Sequence, residues 1–291
     1  MEPHRYQGLA DLEVIGALAR QGRRSSPLSA YWHPGEISWQ YCHGRNFGPD
    51  TTIWTDDDGP AGWVLVDEPT RSADAMVRSD LRGGDDEAAL IAFIEERLGG
   101  PGPVTVHTWA DDEGRIPLLR ARGYESAGPA FQTFACRLAR PIVVPEPPGG
   151  FRLLEALTDE WVAERAECHR RAFDRSAMTP ETYAAFREAP GYDPELDVAV
   201  VADDGRVVSY AMAWADEATG TGQLEPVGTR PHSWRQGLGR VANREALRRL
   251  QARGLEVASV NTWAHHEGNI AFYRSCGFEL GTTIDRWTRP G

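Results

Sequence analysis

Alternation and three-to-four-residue spacing of apolar positions divide the C-terminal half of the chain into ten elements. Phe151 to Glu155 reads as a short strand and Thr158 to Phe173 has helical periodicity. Thr179-Pro180-Glu181 supplies an N-cap, a proline at the first helical position and an acid in the first turn, so a second helix opens there. Strands over Leu196 to Ala202 and Arg206 to Trp214 flank Asp203-Asp204-Gly205, a hairpin turn, and Gln223 to Thr229 forms a further strand. Gly237 to Arg253 is amphipathic, with Leu238, Val241, Ala242, Ala246 and Leu250 on one face and Arg240, Arg244, Arg248 and Arg249 on the other. Glu245 and Arg249 stand four apart in the favourable orientation. A strand, a short helix and a last strand complete the order β-α-α-β-β-β-α-β-α-β, which predicts a mixed sheet with helices on its faces.

That ending is repeated. Val104 to Glu125 and Ala258 to Glu279 align without gaps, their numbers differing by 154 throughout, and from His107 to Glu125 nine of nineteen positions are identical. Between the halves, Ala139 to Gly150 carries four prolines and two terminal glycines, which deny both helix and central strand. The expected organisation is a domain over 1–140, a Pro-rich linker over 141–150 and a second domain over 151–291. A length of 291 residues fits two such units.

Composition then narrows the chemistry. All 31 cations are arginine, so Schiff-base lysines, PLP enzymes and Walker-type phosphate loops are excluded. A net charge of −12 opposes nonspecific binding to nucleic acid or anionic membrane. The four cysteines, Cys42, Cys136, Cys168 and Cys276, have neither metal-ligand nor disulfide-framework spacing. The N-terminus lacks the apolar core of a signal peptide, and no run approaches a membrane span, so a cytoplasmic location is expected. His265, His266 and Glu267 lack a third ligand at suitable spacing, and no metal is expected.

The candidate chemistry lies between the strand ending at Thr229 and the helix opening at Gly237. Two glycines at a helix mouth let the backbone approach an anion, and the first-turn N–H groups point at it. Arg235 and Arg240 flank this turn, which suits a diphosphate. Pro226 interrupts the preceding strand, so a bulge or a splayed pair of strands is expected there, leaving backbone groups free for an extended ligand.

This order of bulged strand, phosphate turn, helix and strand, followed by Asn269-Ile270-Ala271-Phe272-Tyr273, resembles the GNAT superfamily of N-acetyltransferases. The resemblance covers the C-terminal half and, more loosely, the N-terminal half, in the outline of tandem two-domain members such as the mycothiol synthases. It implies an α/β fold of two GNAT-like domains, each a mixed, mostly antiparallel twisted sheet with helices on both faces. It implies acetyl-CoA as cosubstrate, its pantetheine arm along Val227 and Thr229 and its diphosphate on Arg235, Gln236, Gly237, Leu238, Gly239 and Arg240. Asn269 matches the family's asparagine near that arm, and Tyr273 the tyrosine that protonates the leaving thiolate. Trp234 departs from the family loop, whose first position is Arg or Gln.

Glu225, at the bulge, is the candidate base or ammonium-binding group. An unperturbed glutamate near pKa 4.3 is a poor base toward an alkylamine near 10, so burial or a water relay is required. The acceptor is expected to enter over Cys168 to Tyr192, while Trp109 and Trp263 are expected to be packing residues.

At the repeat offset Tyr273 falls on Leu119 and Asn269 on Arg115. Asp85, Asp86 and Glu87 occupy the helix mouth where a diphosphate would sit. The N-terminal half is therefore expected not to bind CoA and to serve as scaffold, and the sequence leaves open whether it also contributes a wall of the acceptor pocket. The implied activity is acetyl transfer to a small-molecule primary amine by direct attack in a ternary complex. The alternative is a noncatalytic acyl-CoA sensor, which needs neither Glu225 nor Tyr273.

Overall fold

The computed structural model describes residues 1–25, 32–43 and 47–291. The N-terminal half runs β1 (Glu2–Arg5), α1 (Leu9–Ser25), α2 (Pro34–Cys42), β2 (Thr51–Asp56), β3 (Gly59–Asp67), β4 (Ser72–Val77), α3 (Asp85–Arg97), β5 (Val104–Trp109), α4 (Arg115–Ala121) and β6 (Glu125–Arg137). The C-terminal half runs β7 (Phe151–Leu153), α5 (Val162–Ala172), α6 (Pro180–Phe186), β8 (Asp197–Ala202), β9 (Val207–Asp216), β10 (Thr221–Thr229), α7 (Leu238–Ala252), β11 (Val257–Trp263), α8 (Glu267–Ser275) and β12 (Glu279–Arg289). The order in the C-terminal half is the one expected from its pattern. Thr179 caps α6 by accepting from the Thr182 N–H at 3.1 Å, with Pro180 in the first turn.

Strand alternation explains the layers. Val198 and Val200 pack with Leu238, Val241 and Ala246 of α7 on one face, whereas Ala199 and Val201 pack with Tyr183 and Phe186 of α6 on the other. The arginine face of α7 is not simply solvated. Arg249 donates to the carbonyls of Leu154 and Glu155, both at 2.7 Å, and Arg244 to Val143 at 2.9 Å and Cys276 at 3.1 Å, which ties the helix to β7 and to the linker.

The twelve strands among the described residues form one sheet, in the order β1-β2-β3-β4-β5-β12-β6-β11-β10-β9-β8-β7. Neighbours are antiparallel except β4 with β5 and β10 with β11. The two halves exchange their final strands: β12 lies between β5 and β6, and β6 pairs with β11. Each exchanged strand carries a core side chain across. Phe134 of β6 is buried among the α7 and α8 residues of the C-terminal half, and Trp287 of β12 among those of α3 and α4.

Candidate active site

The interruption expected at Pro226 has two parts. The register of β10 against β9 shifts between Leu224 and Val227, and the Trp214 indole N–H donates to the Glu225 carbonyl at 2.6 Å. On the other edge, β10 pairs with β11 only from Thr221 to Gln223, opposite Val257 to Ser259. Beyond that point the strands part. Glu225, Val227, Asn269 and Tyr273 line one cavity of about 670 Å³.

The opposite wall comes from the N-terminal half, including Arg23, Glu36, Asp74 and His107. Helix α2 reaches over the C-terminal half because Gly35 allows it; a Cβ there would lie 2.2 Å from Trp214. His33 Nδ1 accepts from the Gly35 N–H at 3.0 Å, so its Nε2 carries the proton toward the Thr221 carbonyl at 3.4 Å. Burial holds that imidazole neutral, far below its ordinary pKa. Arg20 adds an ion pair with Asp216 at 2.9 Å. Glu36 is thereby brought to Gln223, whose Nε2 donates to it at 2.8 Å, and to Asn261 at 3.4 Å.

These surroundings set the state of Glu225. Burial, then the charge of Glu36, raise its pKa to about 8. Tyr273, 7% exposed, is pushed far above the usual phenol range by burial and by the charge of Glu225, so it stays protonated. Asn269 donates from its amide to Thr262 Oγ1 at 3.2 Å. Its own N–H bonds His266 Nδ1 at 3.2 Å, which makes His266 the cap of α8. Among the described residues no group of three or more metal-ligating side chains stands together, and no helix is long and apolar enough to cross a membrane.

The turn after Thr229 begins with a buried Arg230, bonded to the Val207 carbonyl at 2.7 Å and to Glu164 at 2.9 Å. Arg235 and Gly237 adopt left-handed φ angles of 64° and 81°, and Gly237 caps α7. Leu238 buries its side chain in the core, leaving only its N–H toward the turn. Gly239 packs closely, since a Cβ there would meet Thr229 Oγ1 at 3.1 Å and Phe272 at 3.2 Å. The Gln236 amide folds back onto the His232 carbonyl at 3.3 Å, while Arg235 and Arg240 are exposed. The Thr229 hydroxyl is engaged with Ser209 at 2.8 Å, and its carbonyl accepts from the Trp234 indole at 2.8 Å.

Residues 152–278 match the model of the acetyltransferase (GNAT) family. The C-terminal half is a GNAT acetyltransferase domain. Relatives extend over nearly the entire chain. It is 26% identical over 299 aligned positions to the mycothiol acetyltransferase of Kytococcus sedentarius, covering 96% of this chain and 94% of that one. It is 28% identical to the mycothiol acetyltransferase of Frankia alni, over 73% of this chain and 68% of the relative. In fold it resembles a GCN5-related N-acetyltransferase from Sphaerobacter thermophilus, with a TM-score of 0.62, 22% identity and coverage of 100% and 96%. It also resembles a tandem GNAT protein of the clavulanic acid biosynthesis pathway, with a TM-score of 0.65, 17% identity and coverage of 99% and 98%. The chain is an acyltransferase with the tandem GNAT architecture.

The N-terminal half repeats this geometry with different contents. Ser72 pairs with Thr105 as Gln223 pairs with Ser259, so Asp74 holds the place of Glu225 and His107 that of Asn261. Asp74 lies 3.3 Å from His107 and raises its pKa against the effect of burial. At the mouth of α3 the Glu87 carboxylate accepts from the Gly83 N–H at 2.6 Å and pairs with Arg115 at 2.8 Å, both side chains being buried. A side chain of the protein thus fills the anion position of this half. Leu119 is core.

Two expectations about the acceptor side change. Within Cys168 to Tyr192 only Phe173 lines the cavity, because Cys168, Tyr183 and Phe186 are packed against the sheet by α5 and α6. Trp263 is 53% exposed, meets Phe131 at 4.3 Å between ring centres with the planes tilted by 31°, and lines the cavity, so it does more than pack. Its repeat partner Trp109 instead lies under the Arg82 guanidinium at 4.6 Å. The contributions of Glu36 and Trp263 were hidden in sequence because both depend on the two halves meeting. Burial pushes the Cys168 and Cys276 thiols up to about 11, which leaves them poor nucleophiles.

Proposed function

We propose that the chain transfers an acetyl group from acetyl-CoA to a small-molecule primary amine by direct attack. In this reading residues 151–291 hold the donor, and residues 1–140 bind no CoA and complete the acceptor pocket. The single observation that carries it is Glu225, a carboxyl with a pKa of about 8 at the splay, facing a cavity walled by both halves.

The residues at the turn fit the donor. Gly237 places no side chain over the first-turn N–H groups of α7; an added Cβ would meet nothing within 4 Å. The N–H groups of Gly237 to Arg240, with Arg235 and Arg240 beside them, would hold the diphosphate, and the open edge at Val227 the pantetheine arm, the expected Thr229 contact being narrowed because its carbonyl already accepts from the Trp234 indole and its hydroxyl is engaged with Ser209. Acetyl-CoA when bound supplies an activated thioester carbonyl.

The protein's own groups then have distinct tasks. An alkylamine arrives protonated, and taking its proton to an ordinary carboxylate near 4.5 is uphill by about six units; at about 8 the gap narrows to roughly two, or about 3 kcal/mol. Glu225 accepts that proton. Tyr273, held neutral, donates toward the leaving sulfur, and Asn269 steadies the arm. Glu36 adds a second negative group for the ammonium.

Calorimetric titration with acetyl-CoA and desulfo-CoA tests this on wild type and Gly237→Glu, with circular dichroism as the folding control. Binding at one site per chain, lost in the variant, is expected, and thiol release should then report acceptors. Mycothiol-related amines head that screen because relatives are named mycothiol acetyltransferases. A folded wild type that binds neither ligand overturns the reading.

A further inference from the structure

Trp234 is the most exposed large apolar side chain on the donor turn, at 59%, yet it is held at both ends. Its backbone N–H bonds the Pro231 carbonyl at 3.1 Å, and its indole N–H bonds the Thr229 carbonyl at 2.8 Å. The residues on either side add rigidity: a 3₁₀ turn over Pro231–Ser233 precedes it, and Arg235 follows with a left-handed φ of 64°. An indole fixed by its N–H presents a flat face rather than a mobile side chain. Of the other exposed large apolar residues, Phe173 and Trp263 line the central cavity, and Leu9, Val143 and Leu280 offer no aromatic face.

The position also matters. A polar side chain there would add a bond to the diphosphate; an indole whose only donor is already engaged cannot. What it offers is a π surface beside the first turn of α7. Of the parts of CoA, the purine alone presents a flat aromatic face that matches it.

We propose that Trp234 is the adenine platform of the donor site. The inference rests on the donor-site reading above. The stack orients the nucleotide end of CoA and replaces, by contact area, the polar ligand this turn lacks. Base stacking on an aromatic side chain contributes between about 5- and 150-fold in affinity, judged by truncation to alanine.

The test compares three probes by calorimetry on the full chain: CoA, 3′,5′-ADP, and 4′-phosphopantetheine, which lacks the nucleoside. Trp234→Ala is expected to weaken CoA and 3′,5′-ADP by the same factor, within that range, and to leave 4′-phosphopantetheine unchanged. Trp234→Phe should recover most of the loss, because it keeps a ring. CoA should also quench tryptophan emission in wild type more than in Trp234→Phe. Equal weakening of all three probes would place the indole on the arm or in the shape of the turn, and overturn the proposal. Unchanged CoA affinity in Trp234→Ala would overturn it too, while leaving the acetyltransferase reading intact. Absence of CoA binding to the folded wild type overturns both.

Discussion

Glu36 of α2 and Glu225 of β10 come from opposite halves of the chain, and the charge of the first raises the pKa of the second. Since burial is the larger cause, removing Glu36 lowers the Glu225 pKa only part of the way. The rate term kcat/KM is expected to climb with pH along a limb with an apparent pKa of about 8, as Glu225 ionises. In Glu36→Gln that limb should move to lower pH, and KM for the amine should rise because one negative group is gone. A limb that stays in place in the variant would show that the two carboxyls do not act together.

Glu225 also sets stability against activity. Its native pKa lies above its value of about 4.5 in the unfolded chain, so between about pH 4.5 and 8 the native state holds a proton that the unfolded state has released. Stability therefore falls as pH rises across that window, by at most about 1.4 kcal/mol per unit, and is independent of this group below it. Glu225→Gln is expected to lose roughly 10²- to 10⁴-fold in kcat and to unfold at a higher temperature than wild type at pH 8, with the difference vanishing near pH 4. Thermal melts at the two pH values check the sign.

Much of this was legible in the chain because the signals are local. The hairpin at Asp203, the cap at Thr179 and the proline at 226 act within a few residues, and each stands where the pattern put it. The turn from Arg235 to Gly239 was legible for the same reason. The acceptor wall was not, because Glu36 and Trp263 reach the cavity only through docking of α2 on Trp214 and the pairing of β6 with β11. Strand exchange leaves no local mark either: β6 and β12 carry ordinary strand patterns that suit either half.

The N-terminal half makes its own anion. Glu87 and Arg115 form a buried ion pair, with the Gly83 N–H donating to Glu87, and breaking the pair leaves one charge uncompensated, at a cost of about 3–5 kcal/mol. Arg115→Ala is expected to lower the melting temperature by several degrees, and calorimetry should still count one CoA per chain in wild type. A second CoA site in wild type would show that Glu87 leaves the mouth of α3 for a ligand.

The exchange of β6 and β12 inverts the usual link between position in sequence and site of damage. Trp287 lies near the C-terminus but packs on β5 and under Arg120 in the N-terminal core, whereas Phe134 precedes the linker and packs 6.5 Å from the Tyr273 ring, centre to centre. Truncating a buried aromatic costs about 3–5 kcal/mol in either place. Phe134→Ala is therefore expected to weaken acetyl-CoA binding and slow turnover by loosening the seat of Tyr273. Trp287→Ala should spare the donor affinity of the folded protein while opening α3 and α4 to limited proteolysis. Mass spectrometry of the fragments distinguishes the two: cleavage confined to the C-terminal half of Trp287→Ala, with its N-terminal half protected, would mean that β12 stays with its own half.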